Sequence, residues 1–261
     1  MLAELLELAP SGVEEVRISE DAVEYALYGS PGELPALPDL TAAAGGALVQ
    51  VSTTEIADDW AQRWRSFHKP LVLGDALTVR PPWEPRGETA IDLVIDPGQA
   101  FGTGTHPTTR LCLELMLELA PGGSFVDLGC GSGVLAIAAA ALGWQPVTAL
   151  DNDPASVGSA RENARVNRVQ IDVRRHDLRV APVPAAALVV ANLLGPLLLA
   201  WAARLREDRD PPERVIASGL LVEEADDVAA AFASEGLCEA ARRVSGEWAA
   251  LLLERSRPGS R

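Results

Sequence analysis

Three glycines alternate with other residues in the segment D-L-G-C-G-S-G, between an apolar run and a helix-forming run. They are Gly129, Gly131 and Gly133. Without a Cβ, these residues let a bound molecule approach the backbone N–H groups at the start of a helix. Asp151 ends the next apolar run, twenty residues after Gly131, where a carboxylate can bind both hydroxyls of a ribose. This spacing predicts a site for a nucleoside-containing cofactor.

Two cofactors are compatible with the pattern. Gly131, Gly133 and Ala136 satisfy the relaxed form of the G-x-G-x-x-G/A fingerprint for NAD. Asp127 favours S-adenosyl-L-methionine instead, because a carboxylate at a strand end attracts the ammonium group of that molecule and repels a pyrophosphate. A glycine-rich turn that binds no ligand is the third interpretation.

Two later positions have suitable chemistry at the ends of apolar runs. Asp177 follows the third run, where its carboxylate can hold an adenine amino group. Asn192 ends the fourth run, at the edge where sheets of this kind bind ligands. The Asn192 side chain and the carbonyl after it can accept hydrogen bonds from an incoming amine. Leu193 and Leu194 would form an apolar wall, which disfavours the charged form of that amine.

A loop at 96–110 is dense in glycine, threonine and histidine. We expect this loop, which includes Phe101 and Gly102, to cover the cofactor as a lid. His106 has two interpretations: it assists removal of a proton, or it holds the loop at the start of a helix.

Helix signals follow this loop directly. Thr105 is predicted to be the N-cap and Pro107 the first-turn residue of a helix that runs to Leu119. Asp153 and Pro154 predict the start of a second helix in the same way.

These residues need a framework of alternating strands and helices to position them. Apolar runs that end near 128, 151, 177 and 192 are followed by a further strand, a helix and a closing hairpin. This order predicts an α/β fold with a doubly wound, Rossmann-like sheet of seven strands.

Residues 1–60 predict a separate small α+β unit. The order helix, strand, strand, helix, strand corresponds to a ferredoxin-like unit that lacks its first strand. The predicted domains are a ferredoxin-like domain at 1–55, a linker helix at 56–70, a cofactor-binding domain at 71–256 and a disordered tail at 257–261.

Charge is concentrated in the first sixty residues. The whole chain has a formal net charge of −15, and residues 1–60 hold twelve acidic residues against Arg17 alone. Such a surface attracts a basic partner and repels phosphate backbones, so nucleic acid is not expected as a partner. A surface that serves only solubility is the alternative.

Composition also gives expectations about the cellular compartment and about metal binding. No run of eighteen apolar residues is present, and the first residues are acidic, so a cytoplasmic protein without a membrane partner is expected. The three cysteines, Cys112, Cys130 and Cys238, are scattered, which is typical of reduced thiols and predicts no metal site.

Four segments in a fixed order resemble a known family. They are FGTGTHPTT at 101–109, VDLGCGSGVLAIAA at 126–139, LDNDP at 150–154 and VANLL at 190–194. Together they resemble the bacterial methyltransferases of large-subunit ribosomal protein eleven, over residues 58–256. Related enzymes that modify planar amides share an N-P-P-Y signature, whereas Asn192-Leu193-Leu194-Gly195 suits a tetrahedral alkylamine.

The resemblance implies a function and a set of site residues. It implies a monomeric, S-adenosyl-L-methionine-dependent protein-lysine N-methyltransferase that modifies lysine side chains and the N-terminal α-amine of a basic ribosomal protein. It also implies that Thr109, Gly129, Asp151 and Asn192 bind the cofactor, and that the N-terminal domain recognises the substrate. An NAD-dependent oxidoreductase, a methyltransferase for a different protein lysine and a non-catalytic binding module remain the alternatives.

Overall fold

The computed structural model describes residues 13–19, 22–27, 68–96, 106–205 and 211–255. The chain divides into two units, Met1–Trp60 and Ala61–Arg261. In the first unit, β1 (Val13–Ser19) and β2 (Ala22–Leu27) form an antiparallel hairpin with an irregular register near Ser19. Both strands were predicted from the sequence. The other predicted elements of this unit, and most of the linker helix, lie outside the described residues.

The second unit is built on a seven-stranded mixed sheet, which confirms the predicted fold. The strands are β6 (Phe125–Leu128), β7 (Val147–Asp151), β8 (Asp172–Arg175), β9 (Leu188–Asn192), β10 (Arg214–Leu221), β11 (Leu237–Ser245) and β12 (Trp248–Arg255). Their order in the sheet is β11-β12-β10-β9-β6-β7-β8. The five strands β6 to β10 are parallel, and β12 is antiparallel to both β10 and β11.

Helices cover both faces of the sheet, because its central strands are apolar on both sides. Phe125 and Val190 lie in one core cluster, whereas their neighbours Val126 and Val189 lie in the other. The helices are α1 (Pro107–Leu117), α2 (Val134–Leu142), α3 (Pro154–Asn167), α4 (Gly195–Ala202) and α5 (Ala225–Ser234). Residues of α1, α2 and α3 belong to the first cluster, and residues of α4 and α5 belong to the second. No helix in the described ranges is long and apolar enough to span a membrane.

The start of α1 corrects one prediction. The N-cap is His106 and not Thr105, because His106 has extended backbone angles and its side chain accepts from the N–H of Thr108. Pro107 occupies the first turn, as predicted, and the helix ends at Leu117 and not at Leu119. The predicted cap at Asp153 is confirmed, since its carboxylate accepts from the N–H groups of Ala155 and Ser156.

The strand order creates a crevice beside β6. The chain moves outwards from β6 to β7 and β8 and then returns to the other side of β6 as β9. In open parallel sheets, ligands bind outside the carboxyl ends of the strands at such a reversal. Gly129 directly follows β6, and Asn192 ends β9. The fold therefore brings two predicted site residues to the same reversal point.

A three-stranded sheet packs on the first core cluster. It consists of β3 (Leu71–Leu73), β4 (Leu77–Arg80) and β5 (Ile91–Val94), in that order. Arg80 of β4 donates two hydrogen bonds of 2.9 Å to separate oxygens of Asp92. Burial raises the pKa of Asp92, but hydrogen bonds from Arg80 and Gly87 and the charges of Arg80 and Arg86 outweigh burial and lower it.

We predict that Arg80→Ala destabilises the protein by about 3 kcal/mol, because it leaves the Asp92 carboxylate buried without its ion-pair partner. The side chains of Arg80 and Asp92 are only 13% and 6% exposed. Chemical denaturation measures the effect. Arg165→Ala is the matched control, because its ion pair with Glu162 is exposed and should contribute nothing measurable. Equal losses of stability in the two variants would contradict the assignment.

Candidate active site

The glycine turn after β6 has a backbone that requires glycine. Gly129 and Gly133 have φ angles of 76° and 81°, in the left-handed region. A Cβ on Gly129 would lie 2.4 Å from Cδ2 of Leu193, and one on Gly133 would lie 2.9 Å from Cβ of Ala160. The backbone conformation therefore favours glycine at both positions, and at Gly133 the lack of space against Ala160 does so as well.

The N–H groups of this turn donate to oxygens of the protein. This corrects the prediction that the glycines leave these N–H groups open to a bound molecule. Those of Gly129 and Cys130 donate to the carbonyl of Leu150, at 2.8 and 2.9 Å, and that of Gly133 donates to the carbonyl of Cys130 at 2.8 Å. The N–H of Gly131 donates to Oδ2 of Asp151 at 2.9 Å. These four groups are therefore not spare donors for a phosphate.

Asp151 lies at the end of β7, beside the glycine turn. Its two oxygens accept from the N–H groups of Gly131 and Asp153, each at 2.9 Å. These bonds fix the carboxylate at the carboxyl edge of the sheet, where the ribose of a nucleoside was predicted to bind.

Asp127 lies beneath the turn and is completely buried. Its Oδ2 accepts from the N–H of Ala136, in the first turn of α2, at 3.0 Å. Its Oδ1 has no hydrogen-bond partner among the residues that the structure describes. The pKa of Asp127 is raised to about 7, and burial is the largest cause. The charge of Asp151 also raises this pKa, whereas the hydrogen bond from Ala136 lowers it. A carboxylate thus lies at the helix N-terminus where dinucleotide-binding proteins hold a phosphate.

Thr109 and Asn192, predicted to share one site, are in contact although 83 residues separate them. Nδ2 of Asn192 donates to Oγ1 of Thr109 at 3.3 Å. Oδ1 of Asn192 is buried and has no partner within the described ranges. The hydrogen-bonding capacity of this oxygen is therefore unsatisfied in the described structure.

Leu193 and Leu194 differ in their surroundings. The side chain of Leu193 packs over Gly129, and its N–H donates to the carbonyl of Ser218 at 2.8 Å. The side chain of Leu194 is 65% exposed. Leu193 therefore forms part of the crevice wall, and Leu194 lies at its solvent side.

His106 contacts the start of α1, which favours the interpretation that it holds the loop. Its Nδ1 accepts from the N–H of Thr108 and lies 2.7 Å from Oγ1 of Thr108. Its ring meets that of Trp248 edge-on, with the centroids 5.0 Å apart. Burial lowers the pKa of His106. The alternative role in proton removal stays a prediction.

The remaining predicted residues are less closely tied to the crevice. Both oxygens of Asp177 accept from the side chain of Arg179, at 3.0 and 2.9 Å. That side-chain hydrogen bond is the largest effect lowering the pKa of Asp177 to about 2. Its assignment to adenine stays a prediction. Phe101 and Gly102 lie outside the described residues.

Two residues of β10 that shape the crevice, Ser218 and Gly219, were not predicted from the sequence. Gly219 has a φ of 84°, and a Cβ there would lie 2.6 Å from the carbonyl oxygen of Leu193. The hydroxyl of Ser218 lies 3.3 Å from the carbonyl of Thr108, to which it can donate. A glycine inside an apolar strand is typical of a bulge, and the register between β10 and β12 does shift at this point.

The sheet order, the glycine turn after β6 and the acid at the end of β7 define the class of Rossmann-like methyltransferases. The model of the family "Ribosomal protein L11 methyltransferase (PrmA)" matches residues 13–256. The chain therefore belongs to this family.

Individual relatives agree with this family. Ribosomal protein L11 methyltransferases from Geobacter metallireducens and Heliobacterium modesticaldum are 44% and 41% identical to the chain, over 205 and 204 residues. These matches cover 77% and 76% of this chain, and 68% and 65% of the two relatives. The chain thus matches about two thirds of their length. A crystal structure of a ribosomal protein L11 methylase from Lactobacillus delbrueckii subsp. bulgaricus has a TM-score of 0.62 at 30% identity and covers 72% of this chain and 99% of that one.

The buried Asp127 predicts a specific pH dependence of stability. Its pKa is about 7 in the folded protein and about 3.9 in an unfolded chain. Between these values the folded state binds a proton that the unfolded state lacks. The contribution of Asp127 to stability therefore falls as the pH rises from about 4 to about 7, and the loss is complete above that range.

Asp127→Asn removes this titration and keeps the shape of the side chain. We expect the Tm of the variant, relative to that of the wild type, to increase between about pH 5 and about pH 8. Thermal unfolding without cofactor at both pH values measures this. Parallel pH profiles of the two proteins would show that Asp127 does not titrate in this range.

Proposed function

We propose that this chain is an S-adenosyl-L-methionine-dependent methyltransferase that modifies amines of a basic protein, with ribosomal protein L11 as its substrate. The observation that carries the proposal is the Asp127 carboxylate at the N-terminus of α2, beneath the glycine turn. An ammonium-bearing cofactor suits this position, because its positive charge would favour the ionised form of Asp127.

The residues of the crevice suit this cofactor. Oδ1 of Asp127 and Oδ1 of Asn192 are buried acceptors without a partner in the described part of the chain. Buried acceptors without hydrogen bonds cost free energy, which a ligand that donates to them would recover. Asp127 would hold the amino-acid part of the cofactor, Asp151 its ribose, and the glycine turn would leave room for both.

The same geometry argues against NAD. A pyrophosphate needs spare N–H donors and positive potential at a helix N-terminus. Here four N–H groups of the turn already donate to protein oxygens, and a carboxylate binds the N–H of Ala136. The N–H groups of all three fingerprint residues, Gly131, Gly133 and Ala136, are therefore already paired, which disfavours a pyrophosphate.

The cofactor supplies an electrophilic methyl group, and the task of the protein is to align a neutral amine with that group. A lysine amine has a pKa of about 10.4 in water, and the apolar surface of Leu193 lowers that value by disfavouring the ammonium form. Oδ1 of Asn192 and the carbonyl of Leu193 would each accept a hydrogen bond from the amine and orient its lone pair. Alignment of this kind is a large source of rate acceleration, and the released proton passes to water.

The proposed substrate is supported by the relatives and by the charge of the chain. The matched relatives are ribosomal protein L11 methyltransferases. Residues 1–60 carry twelve acids against one base, which favours encounter with a basic protein. The proposal includes recognition of the substrate by this unit, and a cytoplasmic monomer that requires neither nucleic acid nor a membrane.

Transfer of labelled methyl groups from S-adenosyl-L-methionine to purified L11 tests the proposal. We expect incorporation by the wild type. Asn192→Ala should lower kcat by about 100-fold, because the amine loses an orienting acceptor. Thr109→Val removes the oxygen that receives the Asn192 amide and should lower kcat by about tenfold.

Thr109→Ser is the matched control, because it keeps the hydroxyl and should restore most of the activity. Incorporation that is unchanged in Asn192→Ala would remove Asn192 from the mechanism. Cofactor binding without any incorporation of methyl groups into L11 would contradict the assignment of L11 as the substrate.

A further inference from the structure

Two asparagines one turn apart on α3 bind the end of β5. Asn167 pairs with both backbone groups of Val94: its Oδ1 accepts from the N–H at 2.8 Å, and its Nδ2 donates to the carbonyl at 2.6 Å. The Asn167 amide thus pairs with the backbone of Val94 as a neighbouring strand would.

Asn163 makes a similar contact with the chain two residues further on, and one additional contact. Its Oδ1 accepts from the N–H of Asp96 at 3.0 Å. Its Nδ2 donates to the carbonyl of Ser132 at 2.9 Å. Asn163 is only 2% exposed. A single buried amide therefore joins the end of β5 to the glycine turn.

The position of Ser132 gives this contact its importance. Ser132 lies between Gly131 and Gly133, in a turn whose glycines have positive φ angles. Glycine adds little conformational preference of its own, so hydrogen bonds must fix the orientation of the Ser132 peptide. Within the turn, the Gly133 N–H of this peptide donates to the carbonyl of Cys130 at 2.8 Å. From outside the turn, Asn163 donates to the Ser132 carbonyl. Of the two asparagines, Asn163 alone supplies such a bond in the described structure.

We propose that Asn163 is a positioning residue that sets the conformation of the glycine turn for cofactor binding. It does so by holding the Ser132 carbonyl at a fixed place relative to Asp96. The inference rests on the proposed function, because the cofactor in question is S-adenosyl-L-methionine.

Asn167→Ala provides a matched control for Asn163→Ala. Both changes remove an amide from the same face of α3 and cost hydrogen bonds to the end of β5, and alanine preserves the helix. Only Asn163→Ala also removes the bond to the glycine turn. Calorimetric titration with S-adenosyl-L-methionine gives the Kd of each variant, and thermal unfolding without cofactor gives its stability.

We expect Asn163→Ala to raise the Kd by about tenfold and Asn167→Ala to raise it by about threefold or less, with similar losses of Tm. Equal increases of Kd in the two variants would overturn the inference, because both residues would then act through stability alone. A wild type that fails to bind the cofactor would instead contradict the proposed function.

Asn163→Asp replaces Asn163→Ala in this titration if the alanine variant does not fold. It keeps the size of the side chain and the acceptor for Asp96, but loses the amide donor to Ser132. The titration is then run at about pH 8.5, to favour the ionised carboxyl group even where burial raises its pKa. A Kd equal to that of the wild type would overturn the inference.

Discussion

The crevice depends on a buried carboxylate. Asp127 is the penultimate residue of β6, with one oxygen bound to the N–H of Ala136 and the other without a partner in the described structure. A carboxylate in this position costs free energy, which the positive end of the α2 dipole partly offsets. The cost is consistent with a functional role, because a ligand that donates to the second oxygen would recover it. The same carboxylate occupies the place where a dinucleotide fold would bind phosphate.

The strand order places the other groups around this carboxylate. The reversal beside β6 brings Asn192 against Thr109, although 83 residues separate them. Ser218 of β10 lies near the carbonyl of Thr108 across 110 residues, and Asn163 of α3 joins Asp96 to the glycine turn. These contacts join β9 and β10 to α1, and α3 to the end of β5 and to the glycine turn. Fixed positions of this kind are what the proposed reaction needs, because it depends on alignment of the reacting groups.

Local patterns were enough to predict the framework. Alternation of apolar runs with helix signals indicated the seven strands, and Asp153 with Pro154 marked a helix start that the structure confirms. The cap at His106 was missed because Thr105, next to it, has the commoner capping side chain. Helix α4 was not predicted, since its cap, Leu194, has no capping side chain and its sequence is apolar throughout. No local pattern reveals the bonds from the N–H groups of Gly129, Cys130 and Gly131 to β7, because they depend on another strand. The same holds for the contact of Gly219 with Leu193.

The most direct test is calorimetric titration of the full chain with S-adenosyl-L-methionine and, separately, with NADH. The carboxylate at the start of α2 predicts binding of S-adenosyl-L-methionine with one molecule per chain and no detectable binding of NADH. Asp151→Ala should weaken the binding by about tenfold or more, because hydrogen bonds from ribose to a charged group contribute about 1.5–3 kcal/mol. Binding of NADH in preference to S-adenosyl-L-methionine would contradict both the site and the function assigned to it.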